Sequence, residues 1–194
     1  MSTRLVNALI TTLLALTWFI AQPSLARAQA PDRPGTASLV LLVRHAEKAA
    51  EPASDPPLTV AGVARAQALA AALRDAGVTA VITTQLRRTR ETAQPLAVAR
   101  GLTPEVVPIS RATIPAHVEA AAAAVRRHSG GVVLVVGHNN SVPAIITALG
   151  GPRLPEICEL TYGDLFILQL SGREARLVQA HYGLPAPDAG PDCK

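Results

Sequence analysis

Two apolar segments, each followed closely by a histidine, constrain the fold of this chain more than any other feature. Residues 39–43 lead directly to Arg44 and His45, and residues 132–136 lead to His138 after one glycine. Short, continuous apolar runs are typical of parallel strands buried on both faces. A charged or titratable side chain after such a strand needs a polar partner, so it reaches the edge of the sheet. We therefore expect Arg44, His45 and His138 at the carboxyl ends of two strands, where open α/β sheets bind ligands.

A basic segment lies between these two strands. Thr84, Arg88 and Thr92 are spaced four residues apart, which places them near one face of a helix that begins around Thr84. Thr84 is then either an anion contact or a cap of this helix. Arg88 and Arg44 together favour a phosphate group, because the guanidinium fork matches phosphate oxygens.

The predicted elements alternate between strand and helix. In chain order they are a strand at 39–43, a proline-rich loop at 51–57, a helix at 60–76, a strand at 79–83, a helix at 88–100, a short strand at 105–109, a helix at 115–128, a strand at 132–136, a helix at 142–149, and a closing hairpin at 165–170 and 175–181. This order predicts one α/β domain with a mostly parallel sheet and helices on both faces.

Three motifs in this order resemble the histidine phosphatase superfamily, also called the phosphoglycerate mutase-like group. They are Arg-His-Ala-Glu at 44–47, Thr-x-x-x-Arg-x-x-x-Thr at 84–92 and Gly-His at 137–138. The resemblance covers residues 38–183. It implies the fold of that group and an activity on a small phosphorylated substrate, without a metal or another cofactor.

Cleavage of a phosphomonoester requires an in-line nucleophile, cations around the phosphoryl oxygens and a proton for the leaving oxygen. A neutral His45 can attack phosphorus and form a phosphohistidine that water then hydrolyses. Arg44 and Arg88 would hold the phosphoryl oxygens and disfavour a charge on His45. A protonated His138 would add a third cationic donor. The resemblance implies the same four catalytic roles.

The helix after His138 would point its first backbone amides at the same site, where the helix dipole favours an anion. Asn140 and Ser141 are therefore candidate substrate-binding residues. Their alternative role is only to cap this helix.

The motifs leave the proton donor unassigned. Acid phosphatases and phytases of the family have His-Asp at the second histidine, whereas Asn139 follows His138 here. Mutases have a glutamate where residues 110–113 read Ser-Arg-Ala-Thr. The candidate proton donor is Glu159, and the alternatives are Glu105, Glu119 and Asp164. Each of the four is also compatible with an ordinary surface carboxylate.

Residues 1–30 have the pattern of a secretory signal. Arg4 precedes an apolar stretch at 8–20, and Ala26-Arg27-Ala28 is a small-x-small cleavage site. We expect a signal peptide at 1–28, a domain at 38–183 and a tail at 184–194, in a periplasmic or secreted protein. Retention as an uncleaved anchor is the alternative. The stretch at 8–20 is short for a membrane span, so we expect no stable membrane insertion after cleavage.

Charge and aromatic content argue against a nucleic-acid partner. The full chain has 18 basic and 14 acidic residues. Cleavage after Ala28 removes Arg4 and Arg27 and no acidic residue, so the net charge becomes +2. That charge is too small for a nucleic-acid footprint. Aromatic residues make up only 3% of the chain, so stacking on bases is poorly supplied.

Cys158 and Cys193 are the two cysteines of the chain. In an exported protein they are predicted to form one disulfide, which would tie the tail to the loop before the last strands. Two unpaired cysteines are the alternative. A metal hydrolase built on His45, His138 and His181 is disfavoured, because the neighbouring arginines would repel a divalent ion.

Together these features predict a phosphomonoester hydrolase that acts through a phosphohistidine. The export signal and the Arg-His-Ala-Glu motif most resemble the envelope enzymes that act on lipopolysaccharide core heptose phosphate, which implies an envelope sugar phosphate as substrate. A phosphohistidine phosphatase is one alternative, and a mutase is disfavoured by the missing glutamate. A non-catalytic phosphate- or partner-binding module on the same scaffold is opposed by the intact His45. The sequence indicates no oligomeric state.

Overall fold

The computed structural model describes residues 38–172 and 174–185. Six strands in this part of the chain form one sheet: β1 (Ser38–Arg44), β2 (Ala80–Thr83), β3 (Glu105–Val106), β4 (Val132–Gly137), β5 (Asp164–Ser171) and β6 (Glu174–His181). Their order across the sheet is β3-β2-β4-β1-β5-β6. The first four are parallel, β5 pairs antiparallel with β1, and β6 pairs antiparallel with β5. The predicted α/β fold with a mostly parallel sheet is confirmed.

Four helices cover the two faces of this sheet: α1 (Val60–Ala72), α2 (Arg87–Arg100), α3 (Ile114–Arg127) and α4 (Ser141–Ala148). Successive side chains of β1 point to opposite faces. Leu41 and Val43 pack in one core cluster with residues of α1 and α2. Val40 and Leu42 pack in the other cluster with residues of α3 and α4. The unbroken apolar run of β1 is thus explained by burial on both sides.

Some boundaries differ from those predicted. The strand predicted at 105–109 is two residues long, because Pro108 has no amide hydrogen for the ladder. The helix predicted at 60–76 ends at Ala72, and the chain then turns at Gly77 with φ of 69°. The helix predicted at 88–100 begins at Arg87, so Thr84 precedes it and the shared helix face that a start around Thr84 would give does not form.

The pairing of β1 with β4 positions the site. Arg44 lies opposite Gly137 in the parallel register, and the amide of His45 donates to the Gly137 carbonyl at 3.0 Å. The residues that follow each strand, His45 and His138, therefore emerge side by side. A Cβ on Gly137 would lie 2.9 Å from Val142, so glycine permits α4 to begin directly after this strand.

Several predictions concern residues outside the described part of the chain. These are the signal peptide at 1–28, all of the tail beyond residue 185, and Cys193. Export, signal cleavage and the disulfide therefore stay predictions. Within the described part, every helix is too short or too polar to span a bilayer.

Candidate active site

His45 lies at the end of β1 and is only 4% exposed. Its Nδ1 is 2.8 Å from the Ala46 carbonyl oxygen. A carbonyl only accepts, so Nδ1 carries the proton and donates, which leaves the lone pair on Nε2. Burial lowers the pKa of His45 to about 3, and the positive charges of Arg44 and Arg88 add to that effect. The ring is therefore neutral and has a defined tautomer.

His138 lies beside His45, with the ring centroids 5.4 Å apart in an edge-on arrangement. Its Nε2 is 3.3 Å from the Thr84 hydroxyl. The pKa of His138 is lowered to about 3. Burial is the main cause, and His45 and Arg88 contribute to the same shift. The protein groups alone thus keep His138 neutral, which differs from the cationic donor expected from the sequence. A protonated His138 requires additional negative charge beside the ring, such as that of a phosphate.

Arg44 is buried and is held by the loop after α4, and it is not among the residues that line the cavity beside His45 and His138. Its Nη1 donates to the carbonyls of Cys158, Glu159 and Thr161 at 2.8, 2.8 and 3.1 Å. Its Nη2 is 2.6 Å from Oε2 of Glu159, and the guanidinium lies 4.5 Å from the ring centroid of Tyr162. Nη1 is therefore committed to the loop and Nη2 to Glu159, and of the guanidinium nitrogens Nε alone has no hydrogen-bond partner among the described residues.

Arg88 lies in the first turn of α2 and faces the cavity. Burial lowers its pKa, and Asp55 and Glu159 oppose this shift. The Nε atoms of Arg88 and Arg44 are both buried, and neither has a hydrogen-bond partner among the described residues. Buried donors on charged groups are almost always satisfied. Two such donors beside two imidazoles indicate that the site binds an anion.

The threonines of the 84–92 motif form hydrogen bonds with His138, with Arg88 and with the residue after His45. Thr84 is buried, and its hydroxyl is 2.9 Å from that of Thr89 as well as close to His138. The Thr92 hydroxyl accepts from the amide of Ala46 at 2.9 Å and donates to the Arg88 carbonyl at 2.7 Å. Neither threonine lines the cavity. Thr84 orients His138, and Thr92 links the segment after His45 to α2.

Of the two residues predicted at the start of α4, the structure brings only Asn140 to the cavity wall. Ser141 is fully buried, and its Oγ accepts from the backbone amide of His138 at 3.0 Å. This bond fixes the turn between β4 and α4. Ser141 therefore has the structural role that the sequence left as the alternative, and not contact with a substrate.

The cavity above these groups has a volume of about 660 Å³, which suits a small molecule. Its outer wall carries two further cations, Lys48 and Arg111. Asn139 also lines it. No sequence pattern identified Lys48 and Arg111 as site residues. Lys48 lies in the loop after β1 and Arg111 begins a short 3-10 helix before α3, so only tertiary packing brings them to this cavity.

Of the four candidate proton donors, only Glu159 lines this cavity. Glu105 pairs with Arg127 and His128, and Asp164 pairs with His181 at 3.0 Å. Glu119 is exposed on α3. Sequence analysis missed Asp55, whose Oδ1 accepts from the Arg87 amide at 2.9 Å and whose charge acts on Arg88.

The histidines proposed as metal ligands are not brought together. His181 is exposed and paired with Asp164 at the end of β6, and it does not line the cavity of His45 and His138. Within residues 38–172 and 174–185, no three His, Cys, Asp or Glu side chains are grouped as a metal site would need.

Residues 40–109 match the sequence model of the histidine phosphatase superfamily, branch 1. This segment contains Arg44, His45 and Arg88. No curated protein sequence matches the chain.

Solved structures share the fold. The protein histidine phosphatase SixA complexed with tungstate has 19% identity and a TM-score of 0.59, covering 74% of this chain and 96% of its own. A proposed phosphohistidine phosphatase SixA from Nakamurella multipartitia has 25% identity and a TM-score of 0.53, covering 78% of this chain and 98% of its own. A mycobacterial glucosyl-3-phosphoglycerate phosphatase has 16% identity and a TM-score of 0.56, covering 75% of this chain and 98% of its own.

Proposed function

The chain belongs to the histidine phosphatase superfamily, and we propose that it is a metal-independent phosphomonoester hydrolase that forms a phosphohistidine on His45. One observation carries this proposal. Two neutral, buried imidazoles lie 5.4 Å apart beside two buried guanidinium Nε donors without a partner among the described residues. This arrangement supplies a nucleophile and an anion site, and both sets of groups come from the ends of the elements that bear the family motifs.

In the first half of the reaction, the Nε2 lone pair of His45 attacks phosphorus. Arg44 and Arg88 donate to the equatorial oxygens, where negative charge is held through the transition state. His45 needs no deprotonation, because its pKa of about 3 keeps it neutral at physiological pH. Nδ1 keeps its proton and continues to donate it to the Ala46 carbonyl, which fixes the orientation of the ring as Nε2 forms its bond to phosphorus.

In the second half, water attacks the phosphohistidine and the bond between phosphorus and Nε2 breaks. His138 is the other group within reach of the phosphoryl oxygens. The dianion would favour a proton on His138, which then donates to an equatorial oxygen. The first amides of α4 lie at the same end of the sheet, where the helix dipole favours negative charge.

We propose an envelope sugar phosphate as the substrate class. The polar cavity wall supports this choice, because Asn139, Asn140 and Ser110 offer hydrogen bonds that sugar hydroxyls accept and donate. Export, which the sequence at 1–30 predicts, would place the protein with such substrates. A phosphohistidine phosphatase is the second candidate, and it is favoured by the likeness to the Nakamurella multipartitia protein at 25% identity.

The test is hydrolysis of 4-nitrophenyl phosphate by the purified protein and by His45→Ala. The wild type should turn over and be phosphorylated on His45 in a rapid, acid-free quench read by mass spectrometry. The matched control is His181→Ala, which removes an exposed histidine outside the cavity. Activity should also persist in EDTA. An active His45→Ala protein, or activity that EDTA removes and a divalent ion restores, would overturn the assignment.

A second assay separates the two substrate classes. Sugar phosphates and a phosphohistidine peptide are compared by kcat/KM under the same conditions. Preference for the sugar phosphates supports the first candidate. A preference of tenfold or more for the peptide would replace it with the second.

A further inference from the structure

We infer that Glu159 is the catalytic acid that gives a proton to the leaving oxygen, a role that rests on the proposed hydrolase function. No acidic residue occupies either of the positions that other members of the family use, since Asn139 follows His138 and residues 110–113 contain no acid. The donor must therefore come from another element.

The cavity itself narrows the choice to one side chain. Glu159 is the acidic residue that lines it together with His45, Arg88 and His138. Its carboxylate is 2.6 Å from Nη2 of Arg44 and acts on the charge of Arg88. It thus lies close to both of the cations that would hold the phosphoryl group.

The backbone at Glu159 is fixed while its side chain is accessible. Arg44 holds the carbonyls of Cys158, Glu159 and Thr161, and the Ile157 amide donates to the Asn139 carbonyl at 3.0 Å. The side chain of Glu159 is nevertheless 66% exposed. A carboxyl carried on an anchored loop, with an exposed side chain, can exchange its proton with water and still meet the substrate at a defined place.

Binding of the substrate supplies the protonation that an acid needs. A phosphate dianion competes for the same Nη2 of Arg44 and places negative charge beside Glu159, so repulsion is relieved when the carboxylate takes up a proton. As Nε2 of His45 bonds to phosphorus, the bond from phosphorus to the leaving oxygen breaks. The leaving oxygen keeps that electron pair and takes the proton of Glu159, so an alcohol departs. The carboxylate then takes a proton from the water that attacks the phosphohistidine, which restores the acid for the next cycle.

The experiment compares two leaving groups in Glu159→Gln. Phenol, with a pKa of about 10 like tyrosine, needs a proton on departure far more than 4-nitrophenol does. Against phenyl phosphate, kcat should fall on the order of a hundredfold, the usual contribution of a positioned acid. Against 4-nitrophenyl phosphate it should fall less than about threefold.

Two further variants make the result specific. Glu119→Gln changes an exposed carboxylate on α3 outside the cavity and should match the wild type with both substrates. Asp55→Asn changes the other carboxylate near Arg88 and should not show the dependence on the leaving group.

Four outcomes would overturn the inference. They are an equal loss with both substrates, a gain of activity in Glu159→Gln, the leaving-group dependence in Asp55→Asn in place of Glu159→Gln, and a wild type that hydrolyses neither compound. The last outcome alone also removes the proposed hydrolase function, so the two failures are distinguishable.

Discussion

At the level of single residues, the site depends on keeping two imidazoles uncharged in a strongly basic setting. His45 and His138 are each less than a tenth exposed, and two arginines lie beside them. Burial is the largest cause of their lowered pKa values, and the arginines add to it. The same cations that bind an anion thus preserve the nucleophile, because a second positive charge is unfavourable beside them.

This arrangement predicts a pH-dependent stability. The folded protein keeps both histidines neutral down to a pKa of about 3, whereas the unfolded chain protonates them near pH ~6.5. The stability that the folded protein gains from keeping the two histidines neutral is fully present above pH ~6.5. The unfolding free energy then falls progressively as the pH drops toward ~3. We expect urea denaturation to show a larger loss of unfolding free energy between pH 7 and pH 5 in the wild type than in the double variant His45→Asn, His138→Asn. Parallel losses in the two proteins would contradict this, since both share the same carboxylates.

The two arginines should respond differently to removal. The guanidinium Nε of Arg88 has no hydrogen-bond partner among the described residues, and the side chain is half-buried. Arg88→Ala should therefore lower the rate about a hundredfold and leave the unfolding free energy within about 1 kcal/mol. Arg44→Ala should lower the rate by a similar factor and should also lower the unfolding free energy by about 3 kcal/mol. The substitution removes the ion pair with Glu159 and the hydrogen bonds to three loop carbonyls.

Measurement of kcat and of urea denaturation on the same preparations checks both effects. Lysine at position 88 should restore only part of the rate, because an ammonium group has no planar fork. Equal destabilisation by the two alanine variants would show that Arg44 does not anchor the loop.

At the level of elements, the strand pattern was enough to place the two histidines of the candidate site. Continuous apolar runs predicted β1 and β4, and the parallel register then brings His45 next to His138. What the pattern did not contain is how loops pack. The hydrogen bonds from Arg44 to residues 158–161 connect positions more than a hundred residues apart. The hydrogen bond between Thr92 and Ala46 connects positions 46 residues apart. Neither has a local sequence signal.

The start of α2 shows the same limit on a smaller scale. The spacing of Thr84, Arg88 and Thr92 placed all three on one helix, and only the last two are there. Asp55 accepts from the amide of Arg87, so a carboxylate from a distant loop satisfies the first turn of the helix. A helix start defined by such a partner cannot be located from nearby residues.

Because α1 packs closely on the segment after His45, we predict that replacing a helical glycine with alanine destabilises the protein, which is opposite to the usual effect. Gly62 is in the helix, and a Cβ there would lie 2.2 Å from the Glu47 carbonyl oxygen. Glycine to alanine in a helix normally stabilises by about 1 kcal/mol. Here Gly62→Ala should destabilise by about 2 kcal/mol, because backbone has to move to admit the methyl group.

Thermal or urea denaturation measures this change, and kcat should fall with it, since Glu47 belongs to the segment that carries His45. Gln67→Ala changes an exposed position on the same helix and provides the baseline for helix propensity. A stabilised Gly62→Ala protein would show that α1 can move away from this segment at no cost.

At the level of the whole molecule, the buried side chain of Arg65 links the end of the described chain to the segment that follows His45. Arg65 is buried, pairs with Glu47 at 2.8 Å and donates to the Leu184 carbonyl at 3.0 Å. Residues near both ends of the domain are therefore joined through one guanidinium on α1. The predicted disulfide would add a second tie, between the tail and Cys158 in the loop that carries Glu159.

The last prediction concerns that disulfide, whose second cysteine lies outside the described residues. The loop it would close has about 35 residues, which corresponds to roughly 3 to 4 kcal/mol in the chain-entropy model. Arg44 and the Ile157 amide hold the loop around Glu159 by bonds that do not involve sulfur side chains, so the double variant Cys158→Ser, Cys193→Ser should keep kcat within about twofold. Its unfolding free energy should fall by about 3 kcal/mol, and treatment with a reductant should lower the wild type to the same value. A variant as stable as the oxidised wild type, or maleimide labelling of both cysteines in unreduced protein from the periplasm, would contradict the pairing.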